Sequence, residues 1–175
     1  IYAKWNPVTH TVSFDVDGGS TIPAQTIAHG EKATEPPSPT KVGHTFVGWY
    51  TSSTGNTPFN FDTAITGATI VYAKWNPLTY TVSFDVDGGN TIPAQTIAHG
   101  EKATEPPPPT KAGHTFVGWY TSSMGNTPFN FDTAITGATT IYAKWNPVTH
   151  TVSFDVDGGS TIPAQTIAHG EKATE

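Results

Sequence analysis

The stretch IYAKWNPVTHTVSFDVDGG fills residues 1–19 and returns unchanged at 141–159; at 71–89 it carries three changes, Val71 for Ile1, Leu78 for Val8 and Tyr80 for His10. A fixed spacing of 70 residues means a chain assembled from copies of one supersecondary unit, and this settles the architecture before any single residue is read. Over the whole period the first two copies differ at eight positions, those three together with Ser20/Asn90, Ser38/Pro108, Val42/Ala112, Thr54/Met124 and Ile70/Thr140. Residues 141–175 match 1–35 throughout, so the variants alternate with a superperiod of 140 residues. Such near-identity fits recent duplication and argues against a specialised role for each copy. Residues 1–7 read as the last strand of a preceding repeat plus linker, 8–77 and 78–147 as complete repeats, and 148–175 as the first half of a third.

Composition narrows the function classes. Charged residues make up 13% of the chain, about half the usual share, and all eight basic residues are Lys. The net charge of -6 is spread evenly, with no basic patch of the kind that binds nucleic acid. There is no Cys, so neither disulfides nor thiolate metal sites are available and stability rests on packing. No apolar run approaches the roughly 20 residues of a membrane span, and no charged-then-apolar leader opens this segment.

Within a unit, Thr11 to Asp17 (TVSFDVD) alternates strictly, with Val12, Phe14 and Val16 on one face, and predicts a half-buried strand. Gly18-Gly19 turns the chain, and Ile22 to Ala28 returns as a second strand, bulged or at an edge because Pro23 cannot donate to a ladder. The EPPSPT tract at 35–40 predicts an extended crossover. His44 to Tyr50 (HTFVGWY) predicts a third strand, with Gly48 leaving a gap for flanking rings to cover. Asn60 to Thr66 offers a capping residue and a Phe61/Ile65 pair at i,i+4, and predicts about one helical turn. In the last strand, Thr69 to Trp75, position 70 varies between Ile and Thr while 71 stays aliphatic. Val71, Ala73 and Trp75 therefore face inward, and Ile70, Tyr72 and Lys74 outward. The expected core is Val12, Phe14, Val16, Phe46, Trp49, Phe61, Ile65, Val71 and Trp75. Only Asn76-Pro77 and one or two further residues separate this strand from the next Val-x-Phe strand at Val82. A Pro-stiffened joint is therefore expected at Trp75-Asn76-Pro77, repeated at Trp5-Asn6-Pro7 and Trp145-Asn146-Pro147.

The order TVSFDVDGG, AQTIAHGEKATEPPSPTKVGHTFVGWYT, FNFDTAIT, TIVYAKW resembles the Listeria-Bacteroides repeat, a family that includes the B repeat of internalin B. The GWYT and YAKW blocks at these spacings carry the resemblance through each whole unit. It implies tandem β-grasp-like modules of roughly 70 residues on secreted or surface-anchored microbial proteins. Each would be a mostly β, at most α+β, mixed sheet of about four strands with one short helical turn. The modules would be arranged end to end as a rod, with the first and last strands parallel at the centre. The resemblance brings no catalytic residues, no cofactor and no ligand. The acidic turn at 15–19 departs from many family members.

Each chemically suggestive feature has a structural reading beside it. Asp15-Val-Asp17-Gly opens like a calcium loop, but the twelfth position, which needs a bidentate Glu, is Thr26. Asp15 and Asp17, with Asp85, Asp87, Asp155 and Asp157 in the other copies, are the nearest approach to a metal site, and a plain turn is the favoured reading. His10, His29 and His44 suggest zinc, yet Tyr80 replaces the first in copy two. The Pro tract is better explained as a crossover than as a peptide ligand. A covalent staple between Lys74 and Asn60 or Asn76 would need a buried amine beside an acid. Trp49, Tyr50 and Tyr72 form either a sugar-binding platform or core, and core packing is favoured.

No nucleophile, base and orienting residue stand together, so an enzyme is not expected. The expected role is a structural stalk or fibre segment at a microbial cell surface, giving reach and stiffness, with neighbouring repeats as its contacts. The alternative is a self-associating filament or a multivalent adhesin that binds host or matrix glycans or proteins.

Overall fold

The computed structural model of the chain describes residues 2–174. The chain forms two compact units, Ile1–Leu78 and Thr79–Glu175. In the first, β1 (Thr9–Asp15), β2 (Gln25–Ala28), β3 (His44–Tyr50) and β4 (Thr69–Pro77) make one mixed sheet in the order β2-β1-β4-β3. The central pair, β1 and β4, is parallel, with Val12 beside Thr69 and Asp15 beside Tyr72, and both outer strands run antiparallel to their neighbours. The second unit repeats this with β5 (Thr79–Asp85), β6 (Gln95–Ala98), β7 (His114–Tyr120) and β8 (Thr139–Pro147). It also carries a two-stranded sheet of β9 (Thr149–Val152) and β10 (Gln165–Ala168).

The alternating apolar residues of β1 and β4 build the core. Val12 and Val71 have no exposed surface, and Ala33, Trp49, Ile65 and Ala73 are buried with them. Phe14, Val16, Phe46, Phe61 and Trp75 are half-buried against this cluster, together with Ile22, Ile27 and Phe59. Phe46 and Trp49 both turn inward although they are three positions apart, an odd offset that strict alternation forbids. The register against β4 jumps between Phe46/Trp75 and Gly48/Lys74, leaving Val47 as the extra, exposed residue of a β-bulge. Gly48, at φ 156°, accommodates it, and the Tyr50 ring lies 3.6 Å from where its β-carbon would be.

The turn after β1 falls one residue earlier than Gly18-Gly19. Asp17 (φ 44°) and Gly18 (φ 77°) are its central residues and Gly19 N donates to Val16 O at 2.9 Å. Paired positive φ is the signature of mirror-image turns, which Asp-Gly supplies. The second strand starts only at Gln25 and lies at the sheet edge, as Pro23 requires.

The helical turn expected over Asn60–Thr66 is absent, and no α-helix forms among the described residues. Tertiary pairing claims its backbone instead. Ile65 N donates to Glu31 O at 2.8 Å, Gly30 N donates to Ile65 O, and Ala64 bridges Lys32. Asn60 Oδ1 accepts from Asp62 N at 2.9 Å, a turn cap and not a helix cap. A single helical turn costs more to nucleate than its one or two hydrogen bonds return, and a neighbouring extended segment offers better.

Strand β4 runs two residues past Trp75, so that Asn76 stands opposite Thr45 and Pro77 opposite His44. The Asn-Pro step is thus part of the sheet and not a linker. Only Leu78 lies between β4 and β5, and its N–H donates to Gly43 O at 2.8 Å. Residues 2–7 repeat the sequence of 72–77 but form no strand, and Trp5 is 88% exposed. The same sequence is strand where β1 and β3 flank it and irregular where they do not.

Candidate functional site

The acidic turn is internally satisfied. Asp15 Oδ1 accepts from Asp17 N at 3.0 Å, and Asp17 Oδ2 pairs with Lys41 Nζ at 2.9 Å. Asp85, Asp87 and Lys111 repeat the arrangement in the second unit, and Asp155 accepts from Asp157 N in the third copy. Lys41 also lies over the Trp75 ring, so the turn is tied to the end of β4 by charge and by aromatic face together. Trp75 Nε1 donates to Val16 O at 3.1 Å, which anchors the indole where the joint begins. Among the described residues no group of three or more His, Asp or Glu converges to hold a metal ion.

The three histidines separate into two places. His10 Nε2 lies 2.9 Å from His29 Nδ1 across β1 and the end of β2, while His44 turns its Nδ1 to Val42 O. In copy two the Tyr80 ring packs beside His99, and in copy three His150 Nε2 and His169 Nδ1 are 3.2 Å apart.

Lys74 is on the outward face but not free in solvent. Its ammonium donates to Gly55 O and to Asn56 Oδ1, and lies 4.8 Å from the Tyr50 ring centroid. The residue beside it is Asn56 and neither Asn60, which caps its own turn, nor Asn76, which pairs in β4. Among the described residues Lys74 forms no ion pair, so the acid that a staple requires is not in place.

The aromatic platform is divided by the pleat. Trp49 is buried and meets Phe14 and Phe46 edge to face, at ring centroids 5.1 and 5.3 Å, whereas Tyr50 stands opposite Tyr72 on the other face. In the second unit an open groove of about 480 Å³ runs beside β7, with Trp119, Tyr120, Phe129, Phe131, Glu105 and Asp132 on its walls. Asp132 is already engaged: a hydrogen bond from Lys102, reinforced by that ammonium's charge, holds its carboxyl below the ordinary carboxylate range.

Two structural side chains escape a reading by periodicity. Gln25 brackets Thr34 with both ends of its amide, donating to the carbonyl at 2.6 Å and accepting from the N–H at 2.9 Å. It thereby stitches the Pro-rich crossover to β2, and Gln95 and Gln165 do the same. Asn56 holds Lys74. Copies this nearly identical offer no contrast by which either could have been singled out.

The Listeria-Bacteroides repeat domain model matches residues 10–74 and 80–144. A putative Gly-rich membrane protein of Evansella cellulosilytica is 38% identical over 164 residues, which is 93% of this chain and 19% of the relative. A putative membrane protein of the same organism is 37% identical over 177 residues, covering 100% of this chain and 27% of the relative. Internalin H of Listeria monocytogenes is 37% identical over 164 residues, 86% of this chain and 29% of the relative. The chain thus spans less than a third of each of these relatives. Two matches that cover most of both four-stranded units, each with its parallel centre and its acidic turn, place it: the chain belongs to the Listeria-Bacteroides repeat domain family.

Proposed function

We propose that the chain is a structural segment of a stalk or fibre at a microbial cell surface, adding reach and stiffness to a larger protein whose binding or catalytic parts, if any, lie elsewhere. The observation that carries this reading is the register inside each unit. The chain comes in at Thr9 on β1 and goes out at Pro77 on the parallel β4, and Val12 stands beside Thr69. Pro77 therefore lies eleven residue rises beyond Thr9 along the sheet, an advance of about 36 Å at ~3.3 Å per residue. A unit whose ends lie at opposite poles lengthens a chain when it is copied. Relatives named as membrane proteins and as an internalin agree with a role at the surface. Nearly identical copies suit a spacer, which needs only more of the same.

Small-angle scattering on arrays of two, four and six repeats tests this. A stalk gains maximum dimension linearly, by roughly 35 Å per repeat. Growth near the square root of copy number marks flexible beads, and a particle that stays compact overturns the proposal.

A further inference from the structure

We propose that the His10–His29 pair and its copy His150–His169 each bind one divalent transition-metal ion of the nickel–copper type, through His10 Nε2 with His29 Nδ1 and through His150 Nε2 with His169 Nδ1. The nitrogens stand 2.9 Å apart in the first pair and 3.2 Å in the second. Two imidazole nitrogens at about 2.0–2.1 Å from a metal and at right angles to each other are separated by about 2.9 Å. The bite is therefore that of two cis ligands in the tetragonal geometry these ions favour.

The backbone holds the bite in place before any ion arrives. His10 lies within the β1–β2 ladder opposite Ile27, and His29, one residue past β2, donates its N–H to Val8 O at 2.8 Å. The same bond recurs from His169 to Val148 O at 2.7 Å. The two rings are diagonal neighbours on adjacent antiparallel strands, close enough to converge without backbone movement. His29 and His169 are exposed, so water can fill the remaining positions. With two protein ligands only, the site selects metals by the intrinsic affinity order, which peaks at copper and puts nickel next below it among the lighter ions.

Metal replaces the hydrogen bond between the rings. That bond requires one of the two facing nitrogens to carry a proton; on binding, this proton moves to the same ring's other nitrogen, and both imidazoles remain neutral ligands. Acid removes the site, because each ring must stay unprotonated at the ligating nitrogen.

The chain contains its own control. Copy two has the same strands and His99, but Tyr80 where the first ligand would be; the two rings pack much as the histidines do, at centroids 5.9 Å apart against 5.2 Å for His10 and His29, yet the phenol offers no ring nitrogen. Nickel(II) titrated into the full chain at neutral pH, followed by calorimetry and by broadening of histidine ring NMR signals, should show two equivalents, reversed by chelator and lost under acid conditions. His10→Tyr, a residue the fold already carries at position 80, should remove one equivalent, and His150→Tyr the other. Tyr80→His should raise the count to three. The signals of His10, His29, His150 and His169 should broaden before those of His44 and His114. Stoichiometry unchanged in the two loss variants, a count still at two in Tyr80→His, or an absence of binding up to millimolar nickel overturns the proposal.

Discussion

The Trp75 indole closes over Gly19: a β-carbon at Gly19 would stand 2.7 Å from Trp75 Cζ2, and the same relation holds between Trp145 and Gly89 at 2.8 Å. The backbone oxygens of Val16 and Thr40 sit 3.1 Å from that position on its other sides, so the added methyl has no direction of escape. Gly19→Ala with Gly89→Ala should cost about 1–3 kcal/mol per unit, the usual toll of overpacking. Denaturant melts of the paired variant check this, and Trp75 fluorescence should shift with it. Gly67→Ala, where the added carbon meets nothing within 4 Å, is the control.

Burial ranks the aromatic residues. Trp49 is 4% exposed and lies between Phe14 and Phe46, while Trp75 is half-buried and hydrogen-bonded to Val16 O. Trp49→Ala with Trp119→Ala should cost about 3–5 kcal/mol per unit, and Trp75→Ala with Trp145→Ala about 2 kcal/mol, since less surface is lost from water exclusion. Urea midpoints at unchanged slope decide the order; equal losses would contradict it.

An outward position alone would leave Lys74→Ala nearly silent, but the ammonium holds Gly55 O and Asn56 Oδ1 above the Tyr50 ring. Its removal should cost about 1–2 kcal/mol, after allowance for partial exposure. Lys74→Met, which keeps the stem, should recover part of this. Intact-protein mass spectrometry of the unaltered chain should show its full sequence mass, with no ammonia lost to a Lys-Asn bond.

Calcium should leave the melting temperature unchanged. An ion that binds the native state stabilises it by mass action, but Asp15 Oδ1 is committed to its own turn and Asp17 Oδ2 to Lys41. A rise of several degrees with millimolar calcium, abolished by Asp17→Ala, would overturn this.

Asp132 should titrate below an ordinary aspartate because it accepts a hydrogen bond from Lys102. A folded-state value lower than the unfolded one contributes stability above the unfolded value and loses it as pH falls through the folded value. The contribution is therefore present at neutral pH and disappears in acid. The pair is exposed, so the effect on melting should be small and should shrink with salt. Carboxyl NMR titration of the full chain, against a Lys102→Met variant in which the value returns upward, measures it.

Alternation made β1 and β4 legible, since Val12, Val71 and Ala73 follow one face of a strand and a single chain position, 70, reveals the other face by its Ile-to-Thr change. What escaped depended on pairing across the sheet. The bulge at Val47 is visible only once Phe46 and Trp49 must both face in, and the extension of β4 through Pro77 only once His44 lies opposite. Asn60 to Thr66 has a helix-like local spacing, but beyond the turn in which Thr63 N donates to Asn60 O the segment pairs outward, Ile65 N donating to Glu31 O and Ile65 O accepting from Gly30 N. The histidine pair is not legible as a pair: His10 and His29 are two of three histidines weighed as a zinc set and set aside because Tyr80 replaces the first, and only the strand register brings the two together.

The parallel pairing of β1 with β4 also sets a hazard for folding. Val12 must find Thr69, a partner 57 positions later in the chain, whereas the next copy brings Thr139, in nearly the same sequence context, after a further 70. Closing the longer loop is entropically only slightly worse, because loop cost grows with the logarithm of length. A chain released from denaturant all at once is therefore prone to exchange strands between copies. One that emerges from its N-terminus should seal each sheet before the competing strand exists. Refolding yield should accordingly fall as copies are added, and fall less when the chain is fed in vectorially.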